Sequence, residues 1–471
     1  MNRFTSTLLS RRQALCRIGG GFGAVGLASV MADAGMLSAQ QPATATNPLA
    51  PRPPHFPARA KRLIFLFMNG GPSHIDTFDP KPAVTRHAGE QLPASIQNQP
   101  GPRNRLLMAS PWGFQRYGQS GIEVSELFPE VGGAIDDICV VRSMHTSTPN
   151  HEPGLLMMNS GNMQPIRPSL GSWLAYALGS ENQNLPGFIV LCPGKPVVGP
   201  QLWSNSFLPG IFQGTHINNS NANINPRTII RDVNNRHLSP AVQREQLDLL
   251  QQLNQAHLEQ RGQDEHLEGR IASLEMAYRM QGEAQDAFDL SRESAATRRL
   301  YGEGQFANAC LLARRLAEHG VRVIQIYFGN NQPWDDHADI NNHRNHARQS
   351  DKPLAALLRD LKTRGLLDDT LVLWGGEFGR TPATEGQRGR DHHHTGFTMW
   401  MAGGGVKGGM VYGSTDEFGI HAVQNRMHVH DLHATMLHLM GLDHERLTYR
   451  YSGRDFRLTD VHGEVHRGIF A

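Results

Sequence analysis

Five stretches of this sequence place imidazoles and carboxylates a few residues apart. They are NGGPSHIDTFDP, with Asn69, His74, Asp76 and Asp79; NHEPGLLMMNSG, with His151 heading an apolar run; GNNQPWDDHADINNH, with Asp335, Asp336, His337, Asp339 and His343; GEFGRTP, with Glu377 and Arg380; and GRDHHHTG, with Asp391 to His394. Mixed nitrogen and oxygen donors bind divalent cations, and this mixture leaves zinc, manganese, iron and calcium open. The ligand count allows one ion or two, and a pair would clamp the attacking and departing oxygens of an ester displacement. The four cysteines, Cys16, Cys139, Cys192 and Cys310, form no CxxC pair, so a thiolate-rich zinc site is excluded and they read as buried thiols. Each stretch alone is an ordinary loop, since Asp or His beside Gly and Pro usually serves a turn or an N-cap. A site exists only if the fold gathers them.

The elements that would do so are short, nearly continuous apolar runs: RLIFLFM (62–68), ICVVRSM (138–144), GFIVLC (187–192), RVIQIYF (322–328), TLVLWG (370–375) and FTMWMAG (397–403). Runs of this kind suit strands buried on both faces. Helical patterns at 306–319 and 353–363 separate several of them, which predicts an α/β fold with a doubly wound, mostly parallel sheet. Ligands of such sheets bind outside the carboxyl ends of the strands. Four of the five polar stretches directly follow a strand run, so the expectation is one metal site on one edge of the sheet. From 240 to 300 the chain becomes Gln-, Glu- and Leu-rich with helical spacing. It reads as an inserted hairpin of long helices, a solvated appendage or a surface for homo-oligomer formation. Internal repeats are absent.

The first 39 residues read as an export signal. Arg11 and Arg12 precede a Gly-rich, weakly apolar run from Ile18 to Met31, and Ala34 and Ala39 each end a small-residue cleavage site. The run falls short of the roughly 20 strongly apolar residues that span a bilayer, so no stable membrane span is expected after cleavage. The twin arginine points to the twin-arginine route and a periplasmic or extracellular destination. Residues 40–60 are Pro-rich and polar, a linker by composition, and the folded part, 61–471, begins near Lys61. A formal charge of +2 gives no reason to expect a nucleic-acid partner.

The strand-end residues resemble the alkaline phosphatase and sulfatase superfamily, which places metal ligands on strand ends in this chain order. More closely, MNGGPSHIDTFDPKP, WGGEFGRTP, GRDHHHTGFTMWMAGGG and HDLHATMLHLMGL resemble the domain-of-unknown-function family 1501, exported bacterial proteins, over about Arg62 to Thr459. The resemblance implies a sulfatase-like fold with a helical insertion. It also implies a metal-dependent hydrolase acting on a small-molecule or polysaccharide sulfate or phosphate ester. Sulfatases carry their nucleophile in CxPSRxxLLTG, and HEPGLLMMNSG matches its length, Pro153 and the closing Gly161, so His151 falls in the nucleophile position. Asn69 matches a ligand Asp, with His74 and Asp76 as replacements nearby. Glu377 stands where the superfamily has Asp-His, and His392 or His394 matches its later His. The Asp-x-x-x-His spacing of phosphatases is met by Asp339 and His343, whereas family likeness favours Asp335 and His337, which are preferred.

The expected metal ligands are therefore Asn69, His74, Asp76, Asp335, His337, Glu377, Asp391 and His392, with His151 and Arg380 as catalytic residues. Histidine cannot replace formylglycine, serine or threonine as the usual nucleophile, and Ser147 and Thr148 precede the helix rather than head it. At a helix start the backbone dipole disfavours an imidazolium, so His151 is expected neutral, able to bind a metal, attack as a nucleophile or take a proton, with metal-activated water as the other attacking group. The same helix end, with Arg380 opposite, suits a sulfate or phosphate. A non-catalytic exported protein that keeps the fold for metal or anion binding, or for assembly, is the competing expectation.

Overall fold

A computed structural model of the chain describes residues 47–91, 105–220, 229, 238–262 and 264–471. The export signal at 1–39 and the first residues of the Pro-rich segment lie outside the described residues. The rest of that segment is laid against the body. Leu49 is buried, Arg52 N–H donates to the Leu178 carbonyl, His55 N–H to Gly441, and Arg59 and Ala60 N–H to Leu439.

Among the described residues the sheet has nine strands. In chain order they are β1 (Arg62–Phe67), β2 (Ile138–His145), β3 (Phe188–Leu191), β4 (Thr215–Ile217), β5 (Val323–Tyr327) and β6 (Thr370–Gly375). Beyond a separate hairpin, β7 (Gly379–Glu385) and β8 (Gly389–His393), come β9 (Phe397–Ala402), β10 (Met410–Tyr412) and β11 (Met427–His428). The order across the sheet is β10-β2-β9-β6-β1-β5-β3-β4, with β11 also on β2. Central strands are buried on both faces, which is why they read as unbroken apolar runs. The pairings are parallel except those of β9, which runs against β2 and β6. The chain reaches it from β6 through the β7–β8 hairpin and not through the crossover helix that usually joins parallel neighbours.

Because β1, β2, β5 and β6 run the same way, their carboxyl ends share one rim. Helix α1 (His151–Ser160) leaves that rim after β2 and ends at Gly161, whose φ of 65° supplies the left-handed C-cap. Helices α2 (Leu170–Leu178), α5 (Gln305–Glu318) and α6 (Asn342–Thr363) cover the sheet or one another. The sequence suggested a helix beginning at Pro353, but α6 starts at Asn342 and runs through that proline. Its first turns form because His343 is buried against Trp334 and Asp336, an anchor outside the reach of helical periodicity. At 240–300 lie α3 (Pro240–Arg261) and α4 (Glu265–Ala287), joined by a two-pronged Arg244–Glu275 ion pair. Among the described residues no helix is long and apolar enough to cross a membrane.

Near the rim, α7 (Val429–Leu439) buries a further group of imidazoles. His430 stacks between His428 and His462 with both centroid separations 4.9 Å, and His433 Nε2 lies 2.9 Å from the Met158 carbonyl. Burial, reinforced by neighbouring imidazoles, lowers His430 to about 3 and His145 and His433 to about 4. In the unfolded chain these groups titrate near 6.5 and bind protons that the native state refuses. Their contribution to stability is therefore complete above about pH 6.5 and is lost as the pH falls toward 4. Asp351, pushed up to about 6 by burial, and His151, raised to about 8 by nearby carboxylates, act in the opposite direction, but the three imidazoles are joined by His393, which burial lowers to about 3. The midpoint of denaturant unfolding is expected to drop between pH 7 and 4.5, with a shallower drop in His433→Gln; equal midpoints across that range would contradict this account.

Candidate metal centre

The loop after β1 must pass close against the loop after β5. A Cβ on Gly70, at φ +112°, would lie 2.6 Å from the Asp335 backbone nitrogen, so this crossing requires glycine. Asn69, wholly buried, donates from Nδ2 to the Gly329 and Asn331 carbonyls, and Trp334 N–H donates to the Asn69 carbonyl. These bonds fix the segment that carries Asp335 and His337. In the β7–β8 hairpin, His392 pairs with Arg380, and the register slips between Arg390 and His392. Such a bulge re-aims side chains. A Cβ on Gly389 would fall 1.5 Å from the His337 carbonyl oxygen, so the hairpin rests directly on the His337 backbone.

Four side chains from three segments meet there: His151, Asp335, His337 and His392, whose donor atoms lie within 4.8 Å of one another. Asp335 Oδ1 is 2.8 Å from His337 Nε2 and 3.2 Å from both His151 Nε2 and His392 Nε2. The Arg380 guanidinium approaches the same oxygen at 2.6 Å. Burial opposes the charge on Asp335, but these three imidazoles and the arginine hold its carboxyl well below the usual range. His337, with 36% of its side chain exposed, forms the open side of the group.

A divalent ion fits these residues. His151 Nε2 is buried and has no hydrogen-bond partner, since the Asp335 oxygen near it is out of line. His337 Nε2 and His392 Nε2 face each other at 2.9 Å, where two imidazoles can share only one proton. Tetrahedral ligand atoms with bonds of about 2.0–2.1 Å stand about 3.3 Å apart, close to the separations here.

Behind the imidazoles stand two more carboxylates. Glu377, fully buried, places Oε1 2.6 Å from His151 Nδ1 and accepts from Gly70 N–H at 3.0 Å. Glu385 Oε2 contacts His337 Nδ1. A carboxylate on Nδ1 fixes the tautomer that directs the Nε2 lone pair inward and strengthens it as a ligand. Sequence reasoning expected a neutral His151. Burial does lower this imidazole, but Asp335 and Glu377 outweigh burial and raise it to about 8.

Other residues from the expected set are placed elsewhere. His74 is buried with Nε2 2.8 Å from the Gly419 carbonyl, and burial lowers its pKa. Asp76 forms a fully buried ion pair with Arg390 at 2.7 Å and accepts from Ser73 Oγ. Asp76 turns away because Arg390, wholly buried on β8, requires a carboxylate, and His74 because its Nε2 is engaged by the Gly419 carbonyl. Asn69 and Glu377 support the ring without joining it. Asp391 is ion-paired to Arg105 at 2.5 Å and borders a second group with His337 and Glu385. Arg380 gives its remaining donors to the Gly70, Gly71 and Arg390 carbonyls, with Nη1 also 3.4 Å from His337 Nε2, so it pins loops and braces the ring from behind. Of the two Asp–His pairs, Asp335 and His337 enter the ring, whereas His343 lies between Asp336 Oδ2 and the Ser73 N–H. Glu385 and Arg105 were missed. Glu385 could have been found from the hairpin register; Arg105 has no local signal. A cavity of about 760 Å³ between α3, α4 and Asn47–Pro48 contains no imidazole in its lining, and its Glu275 is already taken by Arg244.

A family model described as protein of unknown function, DUF1501, matches residues 60–470. No curated protein matches significantly. Among solved structures, the PsFucS1 sulfatase from Pseudoalteromonas sp. is similar at 13% identity and a TM-score of 0.36, over 82% of this chain and 69% of that one. Ps i-CgsB in complex with k-i-k-neocarrahexaose is similar at 11% and 0.37, over 81% and 72%. The phosphonate monoester hydrolase SpPMH from Silicibacter pomeroyi is similar at 12% and 0.31, over 67% and 68%. Scores of this size leave activity to be argued from the site itself.

Glu377→Gln keeps an acceptor for the His151 Nδ1 proton but removes the charge that makes the imidazole a strong ligand. Affinity for a divalent ion, measured by calorimetry, is expected to fall about 10- to 100-fold with the far-ultraviolet dichroism unchanged. Undiminished affinity would show that Glu377 plays no part in holding the ion.

Proposed function

This chain belongs to the DUF1501 family, and from that premise we propose that it is an exported, ion-dependent hydrolase of a sulfate or phosphate ester. The observation that carries the reading is the ring itself: His151 Nε2, without a hydrogen-bond partner, sits at the start of α1 beside Asp335, His337 and His392. Export rests on the Arg11–Arg12 signal.

His151, Asp335, His337 and His392 would hold the ion. Bound there, a divalent ion lowers the pKa of a water and screens the charge of the ester. The chain's own groups do the remainder. α1 begins without a side-chain cap, so its first N–H groups point their partial positive charge toward the rim and favour an anionic ester oxygen. Arg380 adds a fixed positive charge beside Asp335. Glu377 keeps the His151 ring oriented through Nδ1, and the exposed edge of His337 leaves a way in from solvent.

The partners of the four ring atoms are imidazoles, a carboxylate and a guanidinium, not a hydroxyl or thiol. Ser147 Oγ is instead bonded to His428 Nε2. Water is therefore the attacking group in this reading, with no covalent ester on the protein. The same observation favours a second reading, in which the site binds an ion or anion without turnover.

Aryl sulfate and aryl phosphate turnover separates them. The hydrolase reading expects activity on one class, abolished by chelator, restored by added ion, and reduced at least about 100-fold in His392→Ala. Full ion loading with no turnover on either class would select the binding reading.

A further inference from the structure

We infer that the ion suited to this site is a first-row transition ion such as zinc or cobalt, held by three imidazole nitrogens and one carboxylate oxygen, and that calcium and magnesium are rejected. The inference rests on the ion-dependent reading above and narrows it to a cofactor class.

Calcium takes six to eight oxygen ligands, and magnesium requires a near-octahedral oxygen shell. Among the described residues, the ring offers one carboxylate, through Asp335 Oδ1, against the Nε2 atoms of His151, His337 and His392. Every other carboxylate near enough to complete an oxygen shell is committed. Glu377 faces His151 Nδ1 and the Gly70 N–H, Glu385 faces His337 Nδ1, and Asp391 is paired with Arg105. Asp76 is paired with Arg390, and Asp336 faces His343 and Asn342.

The placement of Glu377 and Glu385 acts in the same direction. A carboxylate on the far nitrogen makes an imidazole a better donor, a gain that matters for an ion bonding strongly to nitrogen and does little for a hard one. Charge also discriminates. Three neutral imidazoles and one carboxylate leave a divalent ion with an excess positive charge beside the buried Arg380 guanidinium. Strong metal–nitrogen bonds can offset that repulsion; the mainly electrostatic attraction of calcium for one carboxylate cannot.

The test uses the full chain stripped of metal with chelator and then titrated with cobalt(II) as the probe. The expected result is one equivalent bound, with the intense visible bands of four- or five-coordinate cobalt carrying nitrogen ligands. Zinc should displace it, and calcium or magnesium in about 100-fold excess should not. His392→Ala should lose the bands, and Glu385→Gln should retain them with about 10- to 100-fold weaker binding, which separates ligand loss from misfolding. Displacement of cobalt by calcium, or the weak bands of an all-oxygen six-coordinate ion, would overturn this inference and leave the hydrolase reading standing. Failure of any divalent ion to bind would remove both.

Discussion

One oxygen atom, Asp335 Oδ1, sets the constraint that the rest of the rim obeys. Three imidazoles and a buried guanidinium converge on it. Arg380 is wholly shielded from water, and a buried cation deprived of its partner destabilises a protein by about 3–5 kcal/mol. The carboxylate is thus required for the fold before any ion arrives. Two loops and the β7–β8 hairpin have to deliver it: Gly70 admits the crossing of the β1 and β5 exits, and Gly389 lets the hairpin lie on His337.

Around this point the polar residues are arranged in depth. The inner ring presents nitrogen and oxygen to one small volume. Behind it, Glu377 and Glu385 orient imidazoles, and Asn69 clamps the β5 exit. Farther back, Asp76 and Arg390 form an ion pair without solvent contact that ties the β1 loop to β8. Each layer restricts the one in front of it, so the four side chains would already be in position for an ion. Ordering entropy that would otherwise oppose ion binding is met during folding.

Much of this was legible in the sequence, for identifiable reasons. Runs such as 62–68 and 370–375 read as strands because both of their faces are buried, and the residues following them read as site residues because parallel strands end on one edge. That reasoning reached His151, Asp335, His337, His392 and Arg380. It could not separate them from His74 and Asp76, which have the same chemistry and loop setting. Which way a side chain points from a single helical turn depends on partners such as Arg390 and Gly419, more than 300 residues away. Glu385 was passed over because it ends a hairpin strand rather than following a strand of the main sheet, and the protonation of His151 is set by carboxylates distant in sequence. Local rules considered the helix start alone and could not weigh it against them.

The central claim is that His151, a residue where sulfatase-like sequences carry a nucleophile, serves here with Asp335, His337 and His392 as an ion ligand. Anomalous scattering at the zinc edge, from crystals of the protein grown with zinc, tests it most directly. A single strong peak is expected about 2.0–2.1 Å from the three Nε2 atoms and Asp335 Oδ1. A peak bound by other residues, with His151 left facing Glu377 alone, would contradict it.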